Sequence, residues 1–135
     1  MMISTRGRYA LRLMTDLAEY RTDSFIPLKE IALRQEISEK YLEGIVKALV
    51  QGGLLSGLRG KNGGYRLTRA PGEYTIYEIL RLTEEDLAPV ACLTENAEAC
   101  PRSGTCRTIA MWRRLDRMIY EFFNGITLAD LIREN

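Results

Sequence analysis

Residues 37–68, ISEKYLEGIVKALVQGGLLSGLRGKNGGYRLT, decide the fold. Ser38 stands where a helix N-cap belongs, because its hydroxyl accepts from the unpaired N–H groups of a first turn. Leu42, Ile45, Val46, Leu49 and Val50 then recur at helical spacing, so one side of the helix is apolar. Gly52 and Gly53 end it. At about 100° per residue the other side carries Lys40, Glu43, Gly44, Lys47 and Gln51, a polar face free to meet a partner. Two short apolar runs follow on either side of GKNGG, residues 60–64, which predicts a β-hairpin. Arg59, Lys61, Arg66 and Arg69 make its tip and flanks cationic.

Upstream, Ala10, Leu13, Met14, Leu17 and Ala18 predict an amphipathic helix over residues 5–20. Pro27 opens a short second helix with Leu28, Ile31 and Ala32 on one face, since proline loses no hydrogen bond in a first turn. Helix, short helix, helix, hairpin is the order of a winged helix-turn-helix. A recognition helix needs one face anchored to its domain and another offering donors to base edges and phosphates. A basic hairpin close behind it supplies wing contacts to the backbone or the minor groove. The charge distribution agrees: residues 1–70 hold 12 Lys/Arg against 7 Asp/Glu, and residues 71–135 hold 7 against 11, although the net charge is only +1. An anionic partner belongs to the first half, with simple solubility patterning as the alternative.

Downstream, Thr75 begins a short helix around YEILRL. Residues 84–105 have neither helical nor strand period and carry Cys92 and Cys100, with Cys106 directly after. A stretch of that length is functional or disordered, and ligation would give it a reason to order. A long helix is expected over residues 105–123, with Thr105 as N-cap and Cys106 in the first turn, where the helix dipole favours a thiolate. Its apolar residues form two stripes, Ile109, Trp112, Ile119, Phe123 and Met111, Leu115, Met118, Phe122. One side can pack on the chain's own body and the other on the same helix of a second copy, giving a homodimer; a helix buried wholly within one chain is the alternative. The expected architecture is mostly α: a winged helix-turn-helix over 1–83, a cysteine sensor loop over 84–105, a dimerisation helix over 106–124 and a short tail helix over 125–135.

Three cysteines cannot pair off completely, so metal or redox chemistry is expected of them. The 135 residues, 46% of them hydrophobic, suffice for a core. No apolar run suits a membrane span and MMISTRGRYA lacks the features of a signal peptide, so the cytoplasm is the expected location. The chain has no histidine and no nucleotide-binding glycine motif, which argues against an enzyme.

The chain resembles the Rrf2 family of bacterial winged-helix regulators, from Ile3 to about Ile132. The resemblance lies in ISTRGRYALRLM, in residues 37–67, in the cysteine segment and in MWRRLDRMIYEFFNGITLADLI. Within the family the likeness is to the iron-sulfur regulators of cluster assembly, nitric oxide and redox stress. It implies a repressor that binds an inverted-repeat operator in double-stranded DNA as a homodimer. Tyr9, Ser38, Lys40, Tyr41, Glu43 and Lys47 would approach the operator, and Arg59, Gly60 and Lys61 would form the wing tip. Partial core burial of Tyr9 and Tyr41, a solvated role for Glu43 and a merely solubilising turn at Arg59 and Lys61 are the alternatives.

The spacing Cys92-x7-Cys100-x5-Cys106 resembles the family's cluster motif, with a slightly longer first spacer, and implies an iron-sulfur cluster, [2Fe-2S] ahead of [4Fe-4S]. Some relatives supply a histidine as fourth ligand, which this chain lacks, so Glu95, Glu98, Asp16, water or a small thiol stay open. Zinc, a metal-free thiol switch, control by a partner protein and an iron-sulfur carrier role are the competing readings.

Overall fold

The computed structural model describes residues 2–102 and 104–133; Met1, Ser103, Glu134 and Asn135 of the expected segments lie outside the described residues. Helices α1 (Thr5–Glu19), α2 (Leu28–Gln35) and α3 (Glu39–Gln51) lead into strands β1 (Leu55–Leu58) and β2 (Gly64–Leu67). Helices α4 (Ile76–Thr83), α5 (Ile109–Asn124) and α6 (Leu128–Arg133) follow. This is the expected mostly α winged helix-turn-helix with a long C-terminal helix.

The core forms where the apolar faces meet. Leu13, Met14 and Leu17 of α1, Ile31 of α2, Leu42, Ile45 and Leu49 of α3, Ile79 and Leu80 of α4 and Leu128 of α6 are all buried. Val50, the last of the α3 stripe, is exposed, because the helix ends one residue later and nothing covers it. The hairpin is antiparallel, with Leu55 opposite Leu67 and Leu58 opposite Gly64. Ile26 adds an isolated antiparallel bridge to Tyr65, and a Cβ at Gly64 would fall 2.2 Å from the Ile26 carbonyl oxygen. Gly64 also has φ +145°, so only glycine suits this crossing.

Tyr74 is fully buried, and its hydroxyl is satisfied: it donates to Leu54 O at 2.8 Å and accepts from the N–H groups of Thr68 and Arg69. It thereby fastens the base of the hairpin to the start of α4. A capping box between Thr75 and Glu78 starts that helix.

One expectation changes. The long helix starts at Ile109 with Thr108 at its cap, not at Thr105, so Cys106 precedes the helix instead of lying in its first turn. Cys106 N–H instead donates to Arg102 O at 2.7 Å. The expected tail helix forms as α6, and its packing is with the body: Leu128 is buried, Ile76 N–H donates to Ile126 O, and Leu128 N–H donates to Tyr74 O. No helix among the described residues is long and apolar enough to cross a membrane.

Candidate nucleic-acid interface and thiol segment

The candidate recognition surface is built on α3. Ser38 caps the helix by accepting from Tyr41 N–H at 3.3 Å. With the inner face locked in the core, Lys40, Tyr41, Glu43, Gly44, Lys47 and Gln51 are all exposed. A Cβ on Gly44 would meet nothing within 4 Å, so no packing inside the chain requires glycine there. Tyr9 is half-buried beside this face, stacked edge-on against the more exposed Tyr41, with ring centroids 5.5 Å apart.

The wing flanks α3. Arg59, Gly60 and Lys61 are exposed at its tip, and Gly63 N–H donates to Gly60 O at 3.0 Å to close the turn. One cleft joins Lys47 and Gln51 of α3 with Arg59 and Gly60 of the wing, and Lys29 of α2 lines it as well. Glu39 and Glu43 also face this cleft, so its charge is mixed. Sequence reading passed over Lys29, although the Pro27-Leu28-Lys29 helix start was the signal that placed it at the N-terminal end of α2. It also passed over Arg12, which lies over the Tyr9 ring at 5.4 Å and bonds to the main-chain oxygen and side chain of Gln35. That clasp holds the end of α2, where Glu36 takes the left-handed conformation of the helix-turn-helix turn.

The face expected to meet a second copy is on α5. Ile109, Trp112, Ile119 and Phe123 are half-buried, and Tyr120 meets Tyr77 of α4 at 4.7 Å. The second stripe is bare in the single chain: Met111 is 54% exposed, Leu115 37%, Met118 56% and Phe122 63%. The predicted two-sidedness is therefore present.

Cys92 lies in a 3-10 turn, Ala91–Leu93. All three cysteines are free, Cys92 and Cys100 exposed and Cys106 half-buried. The Thr108 hydroxyl, 3.4 Å from Cys106 Sγ, holds that thiol below its usual pKa by hydrogen bonding to the thiolate, helped by the main-chain N–H groups at the start of α5 and by Arg102. Among the described residues no three thiol, carboxylate or imidazole groups converge on a cation site. The donor chemistry fits a soft-metal or cluster ligand set.

Two expected fourth ligands are otherwise engaged. Asp16 is buried and bonded to Arg34 and Gln35. Glu95 pairs with Arg81 at 2.6 Å, while its N–H donates to Asp86. Glu98 is exposed.

A recognition helix with a bare polar face, a wing beside it and a lengthened helix beyond define a winged-helix transcriptional regulator. The Rrf2 profile, described as an iron-dependent transcriptional regulator, matches residues 3–134. The chain belongs to the Rrf2 family. It is 36% identical over 134 residues to the protein rrf2 of Nitratidesulfovibrio vulgaris, covering 99% of this chain and 89% of that one. It is 35% identical over 133 residues to the HTH-type transcriptional regulator IscR of Xenorhabdus nematophila, covering 98% of this chain and 80% of that one. The structure of CymR, the global cysteine regulator of B. subtilis, superposes with a TM-score of 0.79 at 34% identity, covering 100% of this chain and 98% of that one. These relatives are regulators and not enzymes.

Proposed function

We propose that this regulator is a repressor that binds an inverted-repeat operator as a twofold dimer and changes affinity with the state of Cys92, Cys100 and Cys106. Met111, Leu115, Met118 and Phe122 supply the dimer face, since a twofold interface uses the same patch on both copies. Two α3 helices then enter successive major grooves, with Ser38, Lys40, Tyr41, Glu43 and Lys47 toward base edges and phosphates and Tyr9 beside them. Arg59, Gly60 and Lys61 lie along the adjacent backbone or minor groove. Glu43 accepts from a cytosine amino group.

The three thiolates hold an iron-sulfur cluster, [2Fe-2S] ahead of [4Fe-4S], which supplies a redox- and iron-responsive link within the segment. The fourth ligand comes from Glu98, water or a small thiol. IscR relatives support the cluster; the three accessible, separated thiols favour direct thiol oxidation as the second reading.

The observation that carries the DNA reading is the exposure of the α3 polar face beside the wing. Its test is fluorescence anisotropy on duplexes selected from a random pool. Affinity should fall with salt at a slope of about −0.9 per phosphate neutralised, and Arg59→Ala with Lys61→Ala should flatten that slope. Salt-independent binding, or none, ends the reading. Anaerobic purification with visible absorption and iron and sulfide assays then separates cluster from thiol switch. A colourless protein that resists reconstitution removes the cluster.

A further inference from the structure

The thiol segment is tied to the winged-helix body at its first residue by an unusual contact. Glu84, the residue that ends α4, projects its carboxylate onto the first turn of α1, where Oε1 accepts from Ser4 N–H at 3.0 Å and from the Ser4 hydroxyl at 2.8 Å. Ser4 Oγ in turn accepts from Gly7 N–H at 3.0 Å. The carboxylate can lie there only because residue 7 has no side chain: a Cβ on Gly7 would be 2.0 Å from Glu84 Oε1. A carboxylate at the positive end of a helix is favourably placed, so the contact holds α1 and the head of the segment together across 80 residues of chain.

The same α1 carries Tyr9, packed against Tyr41 of the recognition helix, and Arg12, clasped to the end of α2. The segment is held a second time where Arg81 pairs with Glu95 and where Asp86 accepts from the N–H groups of Ala88 and Glu95. Cys92 lies inside that closed stretch. Gathering the three thiols must therefore displace chain that is fastened to α1 through Glu84.

We infer that Glu84, admitted by Gly7, is the positioning residue that passes the state of the thiol segment to α1 and so to the Tyr9–Tyr41 edge of the recognition surface. The inference rests on the proposed sensing role of the thiols but not on DNA binding. Coupling between distant sites is typically about 5- to 150-fold in affinity, and here it travels through one carboxylate and one serine.

The probe is cobalt(II) alone, added anaerobically to the full chain. Thiolate-to-cobalt absorption reports that the thiols have gathered, each giving its proton to the buffer. Hydrogen exchange of the amides at residues 4–8 is read with and without cobalt. In the wild type, cobalt should change their exchange about tenfold or more, in line with such couplings. In the double variant Gly7→Ala, Glu84→Ala, whose added and removed atoms offset the clash, the absorption should persist and the exchange response should vanish. Glu84→Asp in the wild-type background should keep part of the response, and Glu84→Gln less.

Cobalt absorption in the wild type with unchanged exchange at 4–8 would overturn the inference alone. A full response in the double variant would do the same. Absence of cobalt absorption in the wild type would overturn the gathering of the thiols on a metal and this inference with it, while leaving direct thiol oxidation to the anaerobic iron and sulfide assays. Absence of DNA binding would leave the exchange result intact, so the two failures are distinguishable.

Discussion

Arg34 of α2 grips Asp16 of α1 with two nitrogens, Nε at 3.0 Å and Nη2 at 2.8 Å from separate carboxylate oxygens, while Asp16 itself is shut off from solvent. Gln35 Nε2 adds a third bond at 3.0 Å, and Tyr20 lies under the guanidinium at 4.2 Å. Removing one partner of a buried pair strands the other, which costs about 3–5 kcal/mol. Arg34 is 29% exposed, so water takes up part of its need. Asp16→Ala should therefore cost about 3 kcal/mol in urea unfolding; a loss under about 1 kcal/mol would show the pair to be dispensable.

Gly44 occupies the middle of the recognition helix with open space where a side chain would stand. An exposed helix-interior glycine costs about 0.5–1 kcal/mol relative to alanine. Gly44→Ala should raise chemical stability by that amount and, if the duplex backbone or a base edge comes close there, weaken operator binding about tenfold, or 1.4 kcal/mol. Higher stability with unchanged affinity would remove Gly44 from the interface.

Met118, 56% exposed on α5, lies at the middle of the bare stripe. Met118→Lys should give monomers in sedimentation velocity with unchanged far-UV circular dichroism, because Met118 is exposed and lies outside the buried core of its own chain. Operator affinity should fall with it, as the second half-site is lost. A variant that still sediments as a dimer would place the contact elsewhere.

Asp130 accepts from Thr127 N–H at 2.9 Å, and Asp130 N–H donates to the Thr127 hydroxyl, capping α6. The Thr127 main chain first, then its hydroxyl and Arg133, hold the Asp130 carboxyl below the usual carboxylate range. A lowered folded pKa favours the ionised form in the native state, so its contribution is present above the unfolded value of about 3.9 and is lost as pH falls through the lowered value. Asp130→Asn should flatten the acid limb of a melting-temperature profile below about pH 4. An unaltered acid limb would contradict this.

Much of the fold was legible because its signals are local. The α3 stripe, Ser38 at its cap and the glycine-rich turn each act within one turn of chain, and apart from the exposed Val50 the structure places them as read. The two sides of α5 were likewise written in its spacing, though its start was not. Thr105 has the chemistry of a cap, but Cys106 N–H donates to Arg102 O and the helix starts at Ile109. Contacts that depend on distant chain were not legible. Nothing near Asp16 in sequence announces Arg34 or Gln35, and nothing near Gly7 announces Glu84. The packing of α6 was invisible for the same reason, since its short apolar pattern says nothing of where Leu128 goes.

That last element changes the mechanics of the molecule. α5 leans on α4 at Tyr77–Tyr120, and the chain beyond it is fastened to the body at Ile126 and Leu128, so α5 is a span pinned at its far abutment and not a free arm. The pin is Tyr74, whose carbonyl receives Leu128 N–H and whose hydroxyl braces Leu54 and Thr68 at the foot of the hairpin. A twist applied to α5 acts on that crossbar as well as on α4, and the opposite end of the crossbar is the root of the wing.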